Sequence, residues 1–249
     1  SQSTESQSTR PSADLLSLYP WVTFEVLNIR STLSPRNLAG IPLENRDRFS
    51  LQIPGPDEPI CSQAEKGQLN YFYFCLDVIT RLGVQLPLSD FEMQLLTHLH
   101  LAPSQLHPNG WAFVRSFEKL CYRLKIPSTV PLFFYYFNVQ TSRTGREPSS
   151  KKGWTSFRSR PDRKLFSVFT DSFKNFKKNF FKVQAEPGQH PFFLHGAEGP
   201  DVEWKFPLYW SQDHHKFPVS SYRFEEADLS VEEASAIIKI NEYRQSKSK

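Results

Sequence analysis

Apolar residues recur every three or four positions in four stretches of the chain, which is the spacing of one buried helix face. Three of these stretches begin with a capping box, a Ser followed three residues later by a Glu, and the remaining one begins with a proline. Gly83, Pro103 and Pro127 end the first three stretches. The pattern therefore predicts helices that begin at Ser62, Ser89, Pro108 and Ser230, the last of them ending near Arg244.

The remaining apolar runs are shorter and favour strands. Residues 129–139 are strongly aromatic and fit either a helix or a buried strand. Runs at 154–160, 165–169 and 180–183 predict strands, and the alternation at 204–210 predicts another, which Pro207 confines to a sheet edge. The expected fold class is α+β. It has a helical N-terminal half of three to four helices, short strands in a basic aromatic C-terminal half, and a terminal amphipathic helix with Val231, Ala234, Ile237 and Ile238 facing inward.

The chain divides into four regions. Residues 1–14 are rich in Ser, Gln and Thr, and we expect a disordered tail because they cannot bury enough apolar surface to offset the entropy of ordering. Residues 15–61 predict an extended, proline-rich lead-in, 62–225 a single globular domain, and 226–245 the C-terminal helix. Because the chain begins at Ser1 and its single methionine is Met93, we expect it to be a segment of a longer translation product.

Positive charge is concentrated in one block. Residues 143–182 contain twelve basic and three acidic residues, whereas the rest of the chain has more acidic than basic residues, although the net charge of the whole chain is +4. Such asymmetry indicates an anionic partner. The candidate nucleic-acid-binding residues are Lys151, Lys152, Arg158, Arg160, Arg163, Lys164, Lys174, Lys177, Lys178 and Lys182.

Aromatic residues occupy the same block, and they have two interpretations. Exposed rings would stack on unpaired bases, whereas buried rings would belong to the core behind a basic surface. The helix-like spacing of Phe166, Phe169, Phe173, Phe176 and Phe180 favours burial. Phosphate binding by the cations is compatible with either interpretation.

Motifs along residues 83–210 resemble a known family. They include Gly-Val-Gln-Leu-Pro-Leu at 83–88, Leu-Ala-Pro-Ser-Gln-Leu-His-Pro-Asn-Gly-Trp at 101–111, and Lys-Gly-Trp-Thr-Ser-Phe at 152–157. In these segments the chain is similar to the gypsy-type transposon domain family of plants, except that Phe176 stands where many members have Trp. The resemblance implies descent from a retroelement open reading frame and carries no established activity.

Sequence motifs for catalysis and metal binding are missing. Nucleases and integrases cluster carboxylates around two metals, but the candidates Asp162, Asp171, Asp201 and Glu203 fit solvated loop charges better. The sequence lacks Asp-Thr/Ser-Gly and Tyr-x-Asp-Asp, and its three cysteines are too widely spaced for a zinc knuckle. We therefore expect no enzyme activity, no cofactor and no metal site.

Three functional hypotheses follow. The first is a non-catalytic retroelement domain that binds the backbone of DNA or RNA through residues 143–182. The second is a structural or protein-interaction module that self-associates without nucleic acid, and the third is a metal-dependent nuclease or transposase. No run of about 18 apolar residues occurs, so we expect no membrane partner and an intracellular location, with the nucleus among the compartments that fit.

Overall fold

A computed structural model describes residues 13–43, 48–65, 68–143, 152–166, 176–195, 203–213 and 216–247. The fold is mixed α+β, as the sequence predicts. The helices are α1 (Ala13–Leu18), α2 (Phe24–Leu27), α3 (Pro35–Ala39), α4 (Leu76–Thr80), α5 (Asp90–Leu99), α6 (Pro108–Leu124), α7 (Val130–Tyr136) and α8 (Val231–Lys247). The strands are β1 (Phe49–Gln52), β2 (Tyr71–Cys75), β3 (Phe137–Arg143), β4 (Lys152–Ser159), β5 (Phe180–Ala185), β6 (Leu194–His195) and β7 (Glu203–Trp204).

Strand β5 is the centre of the main sheet. It pairs antiparallel with β1 on one side and with β2 on the other, so that Phe49 and Tyr71 lie opposite Ala185 and Gln184 respectively. Strands β3 and β4 form a separate antiparallel ribbon, and β6 pairs with β7. The main sheet therefore joins segments that lie more than 100 residues apart in the chain.

The helix predicted to begin at Ser62 is wrong in its first half. Residues 71–75 form β2, a strand buried on both faces, and the helical part is reduced to α4. The five consecutive residues Tyr-Phe-Tyr-Phe-Cys are apolar throughout, and such a run fits a fully buried strand as well as a helix. Residues 15–61, expected as an extended lead-in, contain α1–α3 and β1, and the expected disordered tail lies outside the described residues up to position 12.

Several local predictions are confirmed. In α5 the Ser89 hydroxyl accepts from the backbone N–H of Glu92, and the carboxyl group of Glu92 accepts from the backbone N–H of Ser89 through Oε2. Pro108 is the first residue of α6, and β4 and β5 coincide with predicted strands. Residues 129–139, for which the sequence left helix and buried strand open, contain α7 followed by β3. At 204–210 only Trp204 lies in a strand, although burial still alternates at Phe206, Leu208 and Trp210.

The inward face of α8 differs from the prediction. Val231 and Ile238 are 90% and 61% exposed, whereas Ala236, Ile237 and Ile240 are buried. The helix is turned so that the buried Glu233 carboxylate accepts a hydrogen bond from the Thr129 hydroxyl at the start of α7. This tertiary contact sets the rotation of the helix.

Three tryptophans converge on one short turn, residues Pro103–Gln105, which we call the tryptophan turn. The indole N–H of Trp111 donates to the carbonyl of Pro103 at 3.1 Å, and that of Trp154 donates to the carbonyl of Ser104 at 3.1 Å. The indole N–H of Trp210 donates to the Ser104 hydroxyl at 2.9 Å. All three rings are buried, so the motif at 101–111 joins α6, β4 and the 204–210 segment in one core.

Candidate nucleic-acid interface

The β3–β4 pair, which we call the basic ribbon, is buried over much of both faces. Phe137, Val139 and Phe157 are buried on one face, and Asn138 and Trp154 are buried on the other, which also carries the exposed Gln140 and Arg158. Helix α6 packs on β4 where Gly110 approaches the backbone of β4, because an added Cβ there would lie 3.4 Å from the Cα of Ser156. The ribbon is thus anchored in the core, and Gln140 and Arg158 are the exposed residues among those of the two strands whose burial is described.

The end of the basic ribbon is rich in cations. Its register places Arg143 opposite Lys152. The sequence between them, outside the described residues, adds Arg146 and Lys151, and residues 143–158 contain five basic residues and one acidic residue.

Most rings of the basic block are buried and cannot stack on bases. Trp154, Phe157, Phe176, Phe180 and Phe181 belong to the core. Phe166 is half-buried and stacks on Phe137 with ring centroids 5.8 Å apart. Phe169 and Phe173 lie outside the described residues. Where the structure describes them, these rings follow the core interpretation.

Two of the predicted cations, Arg160 and Arg163, form ion pairs with Glu225 of the same chain. Arg160 Nη2 lies 2.6 Å from Glu225 Oε1, and Arg163 Nη2 lies 2.9 Å from Glu225 Oε2. The hydrogen bond from Arg160 is the main reason why the pKa of Glu225 is lowered. Arg163 also lies 3.9 Å above the ring of Tyr135. These guanidinium groups hold the segment after β4 against the core.

Two predicted lysines are likewise paired. Lys177 forms an ion pair with Glu25 and lies 5.3 Å above the ring of Trp154. Lys182 Nζ lies 2.6 Å from Glu58 Oε1, which also accepts from the hydroxyl groups of two tyrosines of β2. Burial raises the pKa of Glu58, but the hydrogen bonds from Lys182 and Tyr73 outweigh it, so the pKa is lowered overall. Lys182 therefore neutralises a carboxylate of the fold.

Three predicted cations are exposed and have no ion-pair partner among the described residues: Arg158, Lys164 and Lys178. Lys151 and Lys174 lie outside the described residues, and the side chain of Lys152 is not described. Of the ten candidates, four are thus paired with carboxylates of the same chain, three face solvent, and the side chains of the other three are not described.

The candidate catalytic residues do not converge where they are described. Asp162 is exposed and pairs with Arg163 at 3.1 Å, and Glu203 lies in β7, while Asp171 and Asp201 fall outside the described residues. Within the described ranges, no three His, Cys, Asp or Glu residues are placed to hold a metal ion. All three cysteines are buried, and burial raises the pKa of each thiol to about 12.

One exposed aromatic residue is absent from the candidates that the sequence suggests. Tyr122, on α6, is 87% exposed and borders a groove of about 560 Å³ with Lys119 and Arg115. Its position outside the apolar stripe of α6 is the signal that could have found it, because a ring on the polar side of an amphipathic helix has no core to enter.

Comparison with known proteins gives one match. No curated protein and no solved structure matches the chain. The part of the chain that the structure describes also contains no helix with the length and apolarity needed to cross a bilayer. Residues 74–141, from β2 through β3, match the model of the family described as "putative gypsy type transposon", so this segment is similar to a gypsy-type transposon domain.

Proposed function

We propose that the chain is a non-catalytic domain of a gypsy-type element, and that it binds the phosphate backbone of nucleic acid through the basic ribbon. The observation that carries the proposal is the register of β3 and β4, which places Arg143 opposite Lys152 at the end of the ribbon. Two basic residues at opposed backbone positions give this end of the ribbon a positive charge that a polyanionic partner would complement. Exposed Arg158 adds a further cation to β4, six residues after Lys152.

The shape of the ribbon supports duplex DNA as the partner. The major groove of B-DNA admits a two-stranded β-ribbon, whereas the major groove of A-form RNA is too deep and narrow for side chains to read. We therefore expect tighter binding to duplex DNA than to duplex RNA. Because the described rings of the basic block are buried, binding at the ribbon depends on charge and falls as salt rises.

The test is salt-titrated fluorescence anisotropy with a labelled DNA duplex. The variant Arg143→Ala/Lys152→Ala/Arg158→Ala should reduce the steepness of the log affinity against log salt plot by about 0.9 for each phosphate that the protein no longer neutralises. The control Arg36→Ala/Arg48→Ala/Lys239→Ala removes the same charge from exposed positions elsewhere. Equal slopes for the two variants, or no affinity at low salt, would overturn the proposal. Metal-dependent cleavage of the duplex that Asp201→Asn abolishes would show that the domain is catalytic.

A self-association module is the second candidate, because exposed apolar residues cluster near the N-terminus of the described chain. Leu16, Leu18 and Phe24 are all exposed, Leu18 to 69%. Light scattering over a hundredfold range of concentration should give a rising mass if this surface mediates assembly. The variant Leu18→Ser/Phe24→Ser should then remain monomeric, and a concentration-independent monomer mass for the unmodified chain would exclude this candidate.

A further inference from the structure

The outer face of α6 presents a ring and two cations in one row. Arg115, Lys119 and Tyr122 are four and three residues apart, so they lie on the same side of the helix. They border the groove of about 560 Å³, which Ile126, Pro127 and Ser128 close at the end of the helix. The phenol of Tyr122 is almost fully exposed, which distinguishes it from the described rings of the basic block.

Exposed cations lie in and near this groove. Lys119 is one of its lining residues. Lys119, Arg123 and Lys125 are exposed on the last turns of α6 and its cap, where they offset the negative end of the helix dipole. The groove therefore presents the exposed Lys119 beside the exposed ring of Tyr122.

One carboxylate, Glu118, also borders the groove, but its charge is compensated. The Glu118 side chain is only 12% exposed, and its Oε2 lies 3.6 Å from Arg115 Nη1. Its Oε1 accepts a hydrogen bond from the Ser89 hydroxyl at 2.6 Å. Glu118 thus faces the α5–α6 contact and leaves Lys119 as the cation that can bind a ligand beside Tyr122.

We propose that this groove binds single-stranded nucleic acid, with an unpaired base stacked on Tyr122 and the adjacent phosphate bound by Lys119. Any base offers a flat π face to an aromatic side chain, so the site is tolerant of sequence. A duplex hides its base faces and gains nothing from the ring. Tyr122 lies away from the contact between α6 and the ribbon, because α6 contacts β4 at Gly110 and its rise places Tyr122 about 18 Å further along the helix.

The experiment measures binding of a 12-nucleotide DNA strand with 2-aminopurine at its centre, whose fluorescence falls when the base stacks. Stacking on one ring is worth enough that Tyr122→Ala should weaken binding at least about fivefold and abolish the fluorescence change. Tyr122→Phe should keep both, since it retains the ring. Lys119→Ala should lower the salt slope by about 0.7, the value for one single-strand phosphate. Phe217→Ala, which removes another exposed ring, is the matched control and should change neither signal.

The outcomes separate this proposal from that for the ribbon. Loss of duplex binding in the ribbon variant with unchanged single-strand stacking would leave the Tyr122 site intact. Equal affinity of Tyr122→Ala and Tyr122→Phe for the single strand would overturn the proposal. A second result would also overturn it: poly-glutamate displaces the single strand, and Tyr122→Ala weakens poly-glutamate binding as much as it weakens single-strand binding. The groove would then recognise an acidic peptide. An unchanged melting temperature for Tyr122→Ala shows that a lost signal does not come from misfolding.

Discussion

The tryptophan turn gives a sharp test of how the fold is held together, through the substitution Ser104→Ala. Ser104 and Trp210 are both buried, and the Ser104 hydroxyl accepts the indole N–H of Trp210 at 2.9 Å. Removing the hydroxyl leaves this buried donor without its acceptor. The bond from Trp154 uses the backbone carbonyl of Ser104 and survives the substitution.

The expected magnitude follows from the cost of a buried unpaired donor, which is about 1–3 kcal/mol. Ser104→Ala should lower the free energy of unfolding by that amount. In the background of Trp210→Phe, which has no N–H to satisfy, the same substitution should cost at least about 1 kcal/mol less. The difference between the two costs is the coupling energy of the hydrogen bond.

Urea unfolding followed by far-UV circular dichroism measures the four corners of this cycle, since it does not depend on tryptophan emission. Ser116→Ala, at a half-buried position of α6, is the control and should change stability little. If Ser104→Ala costs the same in both backgrounds to within about 0.3 kcal/mol, the two residues act independently and the hydrogen bond is refuted.

Three further predictions concern buried charge and close packing. Lys182→Ala leaves the Glu58 carboxylate without its cation and should lower the free energy of unfolding, measured in urea, by about 2–3 kcal/mol. This is somewhat less than the loss on breaking a fully buried ion pair, and the affinity for duplex DNA should not change. Burial, with help from a neighbouring carboxylate, raises the pKa of Glu92 to about 8, so stability should fall as pH rises from about 4.5 to 8, and Glu92→Gln should flatten melting temperatures across that range. Gly110→Ala should lower the free energy of unfolding by about 1 kcal/mol, because the new Cβ would lie 2.6 Å from a methyl carbon of the buried Leu106. The control Gly40→Ala, which has open space around it, should leave the free energy of unfolding nearly unchanged in the same assay.

The elements that the sequence predicts well are those with local signals. The capping box at Ser89 and the proline at the start of α6 act within one helical turn, and both helices begin where these residues indicate. Strand β2 lacks such a signal, because its partner β5 lies more than 100 residues away and the run at 71–75 has no alternation. The rotation of α8 depends on Glu233 reaching Thr129, again a distant residue.

The candidate site was predictable only in part, for the same reason. The excess of cations in residues 143–182 can be read directly from the sequence, but their pairing cannot. Glu25 and Glu58 lie 152 and 124 positions before Lys177 and Lys182, and only the folded chain shows that they neutralise these lysines. The exposure of Tyr122 is a more local property, because it follows from the position of this residue outside the apolar stripe with which α6 packs on the core.

The central position of β5 has a consequence for how the chain is made. Strands β1 and β2 leave the ribosome long before residues 180–185, the only sequence with which either one pairs in the described sheet. Until then both strands carry unpaired backbone edges and aromatic side chains with no sheet to cover. Translation that stops within residues 76–179 therefore yields a product that cannot close its main sheet and is prone to aggregate. The main sheet is therefore formed almost entirely outside residues 74–141, the segment similar to the transposon family.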